Sequence, residues 1–341
     1  MTAKRSRHPG IPVAGQLVDR EQRHLNYLRV SVTDRCNLRC LYCVPEGRIP
    51  KLDHTDILSY EEILRLVGIG IGLGIRKVRI TGGEPLVRKG VVGLLHQLTE
   101  IRELEDVSLT TNGVLLASNA QRIFDAGIRR INISLDSLQR EKYTRITGYD
   151  HFEQVWAGIE RARAIGFNPI KINVVAMRGI NDDEILAFGR LSLDYPFHIR
   201  FIEYMPIGNS RTRMQDQILT PEIQARVAAI GPLNAVNSGQ NDGPARRFRL
   251  ANAQGEVGFI SALSHHFCNR CNRLRLTADG KLRACLLSDH HEPLKGLLRS
   301  GGSDDQLADL FRAAVARKAA THRLCHDGAA AVKDPMQAIG G

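Results

Sequence analysis

Six of the seven cysteines in this 341-residue chain fall into two groups of three. The first group is a C-x3-C-x2-C loop of Cys36, Cys40 and Cys43, and the second is a C-x2-C-x13-C pattern of Cys268, Cys271 and Cys285. Odd groups do not form disulfide pairs, and three thiolates leave one iron of a [4Fe–4S] cluster open to an exogenous molecule. Zinc completed by His54, or by His265 or His266, is the alternative for the two groups, and unrelated thiols are a third interpretation of the first. The spacing favours clusters, and Cys325 stands outside both groups.

The charge balance favours an anionic partner. Lys and Arg number 47 against 36 Asp and Glu, which gives a formal net charge of +11. Aromatic residues make up only 5% of the chain and no basic run is interleaved with them, which argues against a basic metal-binding nucleic-acid protein. The longest apolar stretch, residues 66–75, is about half of the ~20 residues needed to cross a bilayer. We therefore expect a cytoplasmic enzyme with no membrane anchor and no nucleic-acid partner.

The region from residue 27 to about 205 alternates β-branched runs with helical patterns, which predicts a parallel sheet wrapped by crossover helices. The predicted strands are 27–33, 77–81, 107–111, 130–135, 169–175 and 197–203. The predicted helices are one that begins at Ser59, with Glu62 in a capping box, and 91–103, 117–126, 152–165 and 183–193. Polar clusters follow four strands, at 81–85, 110–113, 134–136 and 204–206. Because the carboxyl ends of parallel strands share one rim, we expect a site there.

Composition and periodicity divide the chain into four parts. We expect a disordered lead over 1–24, the βα region over 25–207, an α+β region over 208–325 that carries the second cysteine group, and a tail over 326–341. The third part should hold antiparallel strands at 246–250 and 256–263, a hairpin of 273–277 and 281–285, and a helix over 304–318. Arg273 and Arg275 alternate onto one strand face, where they can clamp a phosphate chain, and Lys171 adds a third cation. Since no glycine-rich phosphate loop is present, side-chain cations must hold any nucleotide.

The first cysteine loop, with Tyr42 before its last cysteine and Gly82-Gly83-Glu84-Pro85 after the next strand, resembles the radical S-adenosylmethionine enzymes. The resemblance implies an α/β fold, an incomplete TIM-like βα barrel of about six units with a C-terminal α+β extension. It implies that S-adenosylmethionine chelates the open iron and that the reduced cluster cleaves it to a 5′-deoxyadenosyl radical. The residues that we expect beside S-adenosylmethionine are Tyr42, Gly83, Glu84, Ser134 and Met205.

Three segments together resemble the GTP 3′,8-cyclase family of molybdenum cofactor biosynthesis: residues 27–36, residues 267–285 and the terminal Gly340-Gly341. The likeness covers about residues 25–341. It implies two [4Fe–4S] clusters, one for each cysteine group, with the guanine of GTP held at the open iron of the second. The positions that it nominates for GTP are Arg29, Arg79, Thr110, Lys171, Arg273 and Arg275.

The implied reaction converts GTP to (8S)-3′,8-cyclo-7,8-dihydroguanosine 5′-triphosphate, the first step of molybdopterin synthesis. The radical takes the ribose 3′ hydrogen, the C3′ radical attacks guanine C8, and one electron with a proton quenches the product. The residues that the resemblance implicates in catalysis are Cys36, Cys40, Cys43, Arg273, Arg275, Gly340 and Gly341, the last two because the tail enters the active site. Implied partners are a low-potential electron donor and the cyclic pyranopterin monophosphate synthase, and a homodimer is left open. The alternative is another radical enzyme with an auxiliary cluster, such as one that modifies a peptide.

Overall fold

The computed structural model describes residues 15–44, 51–208, 212, 214–237, 243–322 and 332–340. Cys325 and Gly341 lie outside the described residues, as does the part of the expected lead before residue 15. The six cysteines that are described are all free. Within the described ranges, no helix has the length and apolar content needed to span a membrane.

Twelve strands form one sheet among the described residues. The strands are β1 (Tyr27–Ser31), β2 (Lys77–Thr81), β3 (Asp106–Thr111), β4 (Ile131–Ser134), β5 (Ile170–Ala176), β6 (Phe197–Glu203), β7 (Leu233–Ala235), β8 (Arg246–Leu250), β9 (Glu256–Ile260), β10 (Arg273–Leu276), β11 (Lys281–Arg283) and β12 (Glu292–Pro293). Strands β1 to β6 lie side by side in chain order and are parallel. All six strands of the predicted βα region are therefore confirmed; two have the predicted bounds, and the ends of the other four differ by at most two residues.

Helices connect these strands and cover one face of the sheet. They are α1 (Tyr60–Gly72), α2 (Val91–Thr99), α3 (Leu116–Asp125), α4 (Arg140–Thr147), α5 (Phe152–Ile165), α6 (Ile185–Asp194), α7 (Thr220–Ala228), α8 (Leu294–Arg299), α9 (Asp304–Ala316) and α10 (Met336–Ile339). The capping box expected at Ser59 and Glu62 is confirmed. Helix α2 ends at Thr99, earlier than expected, where the Thr99 hydroxyl donates to the carbonyls of His96 (2.8 Å) and Ala126 (2.6 Å) and ties the helix end to α3.

The C-terminal region extends both edges of the six-stranded sheet. Strand β9 pairs in parallel with β6 at one edge, and β10 pairs in parallel with β1 at the other. The antiparallel pairs β8–β9 and β10–β11 confirm the expected ladder and hairpin. Residues 261–272 run from the carboxyl end of β9 to the amino end of β10, so one short segment links the two edges. The α/β class and the partial barrel are confirmed, and eight strands of the sheet run parallel.

Alternate residues of the barrel strands differ in character. On β1 and β2, Leu28, Val30, Val78 and Ile80 are buried in the same apolar core as the covering helices. The residues between them face the other side, which we call the inner face; its members include Tyr27, Arg29, Lys77, Arg79, Ser108, Thr110, Asn132, Lys171, Asn173, His198, Arg200, Arg273 and Arg275. Barrels of this type usually fill their interior with branched apolar side chains. A polar, cationic inner face therefore indicates a ligand cavity.

Residues 15–24 of the expected lead make defined contacts with the rest of the fold, which corrects the expectation of disorder for these ten residues. Leu17 is 4% exposed and packs in the main core, and Asp19 and Arg23 form a buried ion pair of 2.6 Å. Arg23 also donates to the carbonyl of Cys268 (2.6 Å). This segment is polar in composition, and only its tertiary contacts with the C-terminal region order it.

Candidate functional site

The first cysteine group lies in the loop after β1, at the carboxyl rim of the sheet. The glycine loop after β2 is hydrogen-bonded to it: Gly83 donates to the carbonyl of Thr33 (2.7 Å) and Glu84 to that of Arg35 (2.8 Å). A Cβ atom added at Gly83 would stand 2.5 Å from the Arg35 carbonyl oxygen. Glycine is therefore required at this position because two backbones meet there.

The three cysteines of the first group are half-buried residues, and their sulfur atoms lie on the buried side. Burial raises the pKa of Cys36 to about 11 and that of Cys43 to about 12, and burial also raises the pKa of Cys40 well above its usual value. The backbone of Leu38 (3.4 Å) and the side chain of Asn112 (3.7 Å) donate to the Cys36 sulfur. Thiolates crowded in a low dielectric need a positive partner. An iron–sulfur cluster supplies that charge, so the loop fits such a group.

Tyr42 and Asp136 join the cysteine loop to the barrel. The Tyr42 hydroxyl donates to one carboxylate oxygen of Asp136 (2.6 Å), and the Val175 backbone donates to the other (2.8 Å). Burial raises the pKa of Asp136 to about 6. Ser134, at the end of β4, and Met205, beyond β6, lie on the same rim, as expected for residues beside S-adenosylmethionine. Contact with that molecule stays a prediction for each.

Glu84 is fully buried and has a structural role. Its carboxylate accepts from the backbones of Leu86 (2.9 Å) and Asn112 (2.6 Å) and from the Thr111 hydroxyl (2.8 Å). Burial raises its pKa to about 7. These bonds hold the loops after β2 and β3 together. Acceptance from the amine of S-adenosylmethionine stays a prediction.

The second cysteine group lies at the opposite end of the barrel. Cys271 comes just before β10 and Cys285 just after the antiparallel β11, so both are at the amino end of β10, which is parallel to β1. The first group follows the carboxyl end of β1. Five residues of strand therefore separate the two groups, a span of roughly 16 Å.

Cys271 is prepared to be a thiolate. Its burial works to raise the pKa, but Arg273 and Lys318 outweigh that effect and lower the pKa to about 6. The thiolate is the form that binds iron. Within the described residues, no three His, Cys, Asp or Glu side chains stand out as arranged to hold a single metal ion. A four-iron cluster is larger than one ion, so this finding is compatible with clusters at both groups.

The inner face between the two groups is crowded with cations. Burial, together with Arg200, Arg130, Arg79 and Lys77, lowers the pKa of Lys171 to about 6. Burial and Arg273 lower the pKa of Arg275 to about 10. Mutual repulsion of buried cations is relieved when an anion binds among them. The structure thus brings together the cations that were expected to hold a nucleotide.

Several inner-face residues were missed by sequence reasoning. Lys77 and Arg200 lie close enough to Lys171 to lower its pKa, and Tyr27 stacks under Lys77, whose ammonium is 5.1 Å from the ring centroid. For Tyr27 and Lys77 the available signal was their spacing of two residues from Arg29 and Arg79 on the same strands. Arg200 is on β6, which carries no nominated residue. The Thr110 hydroxyl and the Oδ1 atoms of Asn132 and Asn173 are buried and accept no hydrogen bond from the described residues. These atoms are available to a polar ligand.

The described part of the tail lies inside this site. Gly340 is buried, and a Cβ atom there would stand 2.9 Å from the Thr81 hydroxyl and 3.0 Å from Ser31 Cβ. The backbone of Gln337 donates to the Cys43 sulfur. Ile339 packs in a small apolar cluster with Met205 and Cys285. The tail therefore contacts the rim and the inner face, and it shares an apolar cluster with Cys285 of the second cysteine group.

Comparison with known proteins agrees with this geometry. A family model described as the Radical SAM superfamily matches residues 30–191, and one described as Molybdenum Cofactor Synthesis C matches residues 197–324. The chain is 49% identical over 306 residues to the GTP 3′,8-cyclase of Moorella thermoacetica, covering 90% of this chain and 95% of that protein. It is also 49% identical over 327 residues to the GTP 3′,8-cyclase of Heliobacterium modesticaldum, covering 95% of this chain and all of that protein.

A solved structure shares the fold at low sequence identity. Streptococcus suis SuiB bound to S-adenosylmethionine superposes with a TM-score of 0.61 at 14% identity, covering 86% of this chain and 69% of that one. The fold, the rim cysteine loop and the family match define this chain as a radical S-adenosylmethionine enzyme, with one [4Fe–4S] cluster and S-adenosylmethionine as its cofactors. Within that class, the chain belongs to the GTP 3′,8-cyclase family.

Proposed function

We propose that this chain converts GTP to (8S)-3′,8-cyclo-7,8-dihydroguanosine 5′-triphosphate, the first step of molybdenum cofactor biosynthesis. The observation that carries the proposal is the cationic inner face that lies between two cysteine groups at opposite ends of one barrel. The clusters and S-adenosylmethionine, when bound, supply the electron and the carbon radical that the rearrangement needs. The chain's own residues hold the substrate, orient it and exclude water.

The first cysteine group holds the cluster that serves S-adenosylmethionine, with Tyr42, Gly83, Ser134 and Met205 around that ligand. Gly83 keeps the cysteine loop against the barrel, and Tyr42 fixes it through Asp136. Because the rim opens onto the inner face, a ligand held there faces a nucleotide within the barrel. The tail covers this rim near Cys43 and limits access of water to it.

The second cysteine group would hold a further [4Fe–4S] cluster, which would supply an iron without a protein ligand for the guanine. This assignment is supported by the low pKa of Cys271 and by the place of the group at the far end of the cavity. The triphosphate then lies among the inner-face cations that include Arg29, Arg79, Lys171, Arg273 and Arg275. These arginine and lysine side chains lie at different positions along the barrel axis. By binding the triphosphate they hold the ribose between the two cysteine groups.

The reaction also needs partners that lie outside this chain. A low-potential electron donor would supply the electron that the cluster at the first cysteine group delivers, and the cyclic pyranopterin monophosphate synthase would take the cyclised nucleotide. Membership of the GTP 3′,8-cyclase family supports both assignments. A homodimer stays a prediction.

The test compares Cys36→Ser with Cys268→Ser in anaerobically reconstituted protein given GTP and S-adenosylmethionine. We expect about eight irons per chain in the wild type and about four in each variant. Cys36→Ser should form neither 5′-deoxyadenosine nor the cyclised nucleotide. Cys268→Ser should retain some 5′-deoxyadenosine formation and lose the cyclised product, as measured by mass spectrometry. Wild-type product formation by Cys268→Ser would contradict the role of the second group.

A further inference from the structure

Lys318 is a buried cation at the second cysteine group. It lies just beyond the end of α9 and is 6% exposed. Its ammonium donates to the Cys271 sulfur (3.6 Å), to the carbonyl of Arg273 (3.1 Å) and to the carbonyl of Ala284. A lysine ammonium has three N–H donors, and these three acceptors use all of them.

These contacts join the two chain segments that carry the cysteines. Arg273 follows Cys271 by two positions, and Ala284 directly precedes Cys285. The third cysteine of the group is contacted four residues further along the chain, where the backbone of His322 donates to the Cys268 sulfur. Residues 318–322 thus contact the segments of all three cysteines.

The group that can balance the positive charge of Lys318 is a cysteine of the second group. Among the described residues, no carboxylate lies within ion-pair distance of this ammonium, although buried lysines are usually paired. The group beside it that can become an anion is the Cys271 thiol, whose sulfur is 3.6 Å from the ammonium. A buried cation at this position therefore favours an anionic sulfur group.

We propose that Lys318 is a positioning residue for the second iron–sulfur cluster. Lys318 holds the Cys271 and Cys285 segments together and donates a charge-assisted hydrogen bond to a ligand sulfur. The inference rests on the proposed second cluster. Hydrogen bonds and positive charge at cluster sulfurs favour the reduced, more negative state and so raise the reduction potential. Lys318 should then affect both the occupancy and the potential of this cluster, without an effect on the first.

The experiment uses full-length, anaerobically reconstituted enzyme with Lys318→Met, Lys318→Gln and the control Lys295→Met. Lys295 is a half-buried lysine of helix α8, and its ammonium pairs with the carboxylate of Asp56. Iron and sulfide per chain, the EPR spectrum of the reduced protein and its change on addition of S-adenosylmethionine are measured, together with the midpoint potential of each cluster.

We expect the iron content to be about four per chain in Lys318→Met, against about eight in the wild type, while the EPR response to S-adenosylmethionine persists. Lys318→Gln, which keeps a donor without the charge, should retain more iron and show a lower midpoint potential for the second cluster. Iron content and potentials equal to those of Lys295→Met would overturn the role of Lys318. Loss of the S-adenosylmethionine response in both Lys318 variants would also overturn it, in favour of a general packing role. About four irons in the wild type would overturn the second cluster itself.

Discussion

Arg275 Nη1 donates a hydrogen bond of 3.0 Å to the carbonyl oxygen of Gly340, and both residues are buried. The bond links an inner-face cation, beside the second cysteine group, with the tail. Gly340 has φ +70°, in the left-handed region, and ends α10. Two further contacts set the position of this tail, because Arg283 pairs with Asp334 (3.0 Å) and Asp289 accepts from the Lys333 backbone (3.1 Å).

Gly340→Ala should suppress formation of the cyclised nucleotide by about tenfold or more, since small displacements of reacting groups are costly. The added Cβ meets Thr81 and Ser31, and the positive φ disfavours alanine. Gly301→Ala is the matched control, because Gly301 has φ +83° with open space around it. That variant should be slightly less stable and fully active. Equal product formation by Gly340→Ala and wild type would contradict a role for the tail in the site.

Deletion of residues 340 and 341, or fusion of a C-terminal tag, should leave iron content and GTP binding near those of the wild type and suppress the cyclised product. The physical reason is that only a backbone without side chains fits between Ser31, Thr81 and Arg275. Iron analysis, equilibrium binding of GTP and product analysis by chromatography measure the three properties. Full turnover of the tagged protein would place the tail outside the reaction.

Gly83→Ala should lower the iron content of the first cluster and abolish 5′-deoxyadenosine formation. A Cβ atom at 2.5 Å from the Arg35 carbonyl must displace the backbone that leads into Cys36. Gly93→Ala is the control, since Gly93 is on α2 with nothing within 4 Å, and alanine there should stabilise the helix by about 0.5–1 kcal/mol. Normal iron content in Gly83→Ala would show that the loop adapts.

GTP binding should take up a proton at neutral pH through Lys171. In the folded protein without GTP, burial and the neighbouring cations hold the pKa of Lys171 at about 6, against an ordinary value of 10.5. Between these two pH values the unfolded chain binds more protons at this lysine than the folded chain does, so the contribution of Lys171 to the free energy of unfolding rises with pH. A triphosphate beside the amine restores its charge. Calorimetry of GTP binding in two buffers of different ionisation enthalpy should show uptake in the wild type and less in Lys171→Met. The same buffer dependence in both proteins would assign the proton elsewhere.

Arg79→Met should weaken GTP binding about tenfold or more and leave S-adenosylmethionine binding nearly unchanged. A charge-assisted contact with phosphate contributes roughly 1.5–3 kcal/mol. The dependence of GTP affinity on salt should also decrease, since one cation is removed. Arg312→Met, which removes an exposed cation of α9 paired with Asp309, is the control and should bind both ligands normally. Equal weakening for both ligands in Arg79→Met would indicate misfolding.

The sequence by itself determined the two cysteine groups, the six parallel strands and the cations that alternate on them. These features are local: thiol spacing, a period of two on strands and a capping box at Ser59 depend on neighbours in the chain. Helix α4 was missed because it is short and mostly polar, with Tyr143 and Ile146 as its main buried apolar residues.

Only the tertiary structure decided how distant segments meet. Strands β9 and β10 join opposite edges of the sheet, and no local pattern tells a strand which edge it will pair with. Residues 15–24 are polar in sequence and become ordered through contacts such as that of Arg23 with the carbonyl of Cys268. Lys318 and Gly340 have ordinary sequence surroundings and acquire their importance from atoms more than 30 residues away. Because pairing between remote segments depends on the packing of the whole chain, these contacts are decided in the folded state.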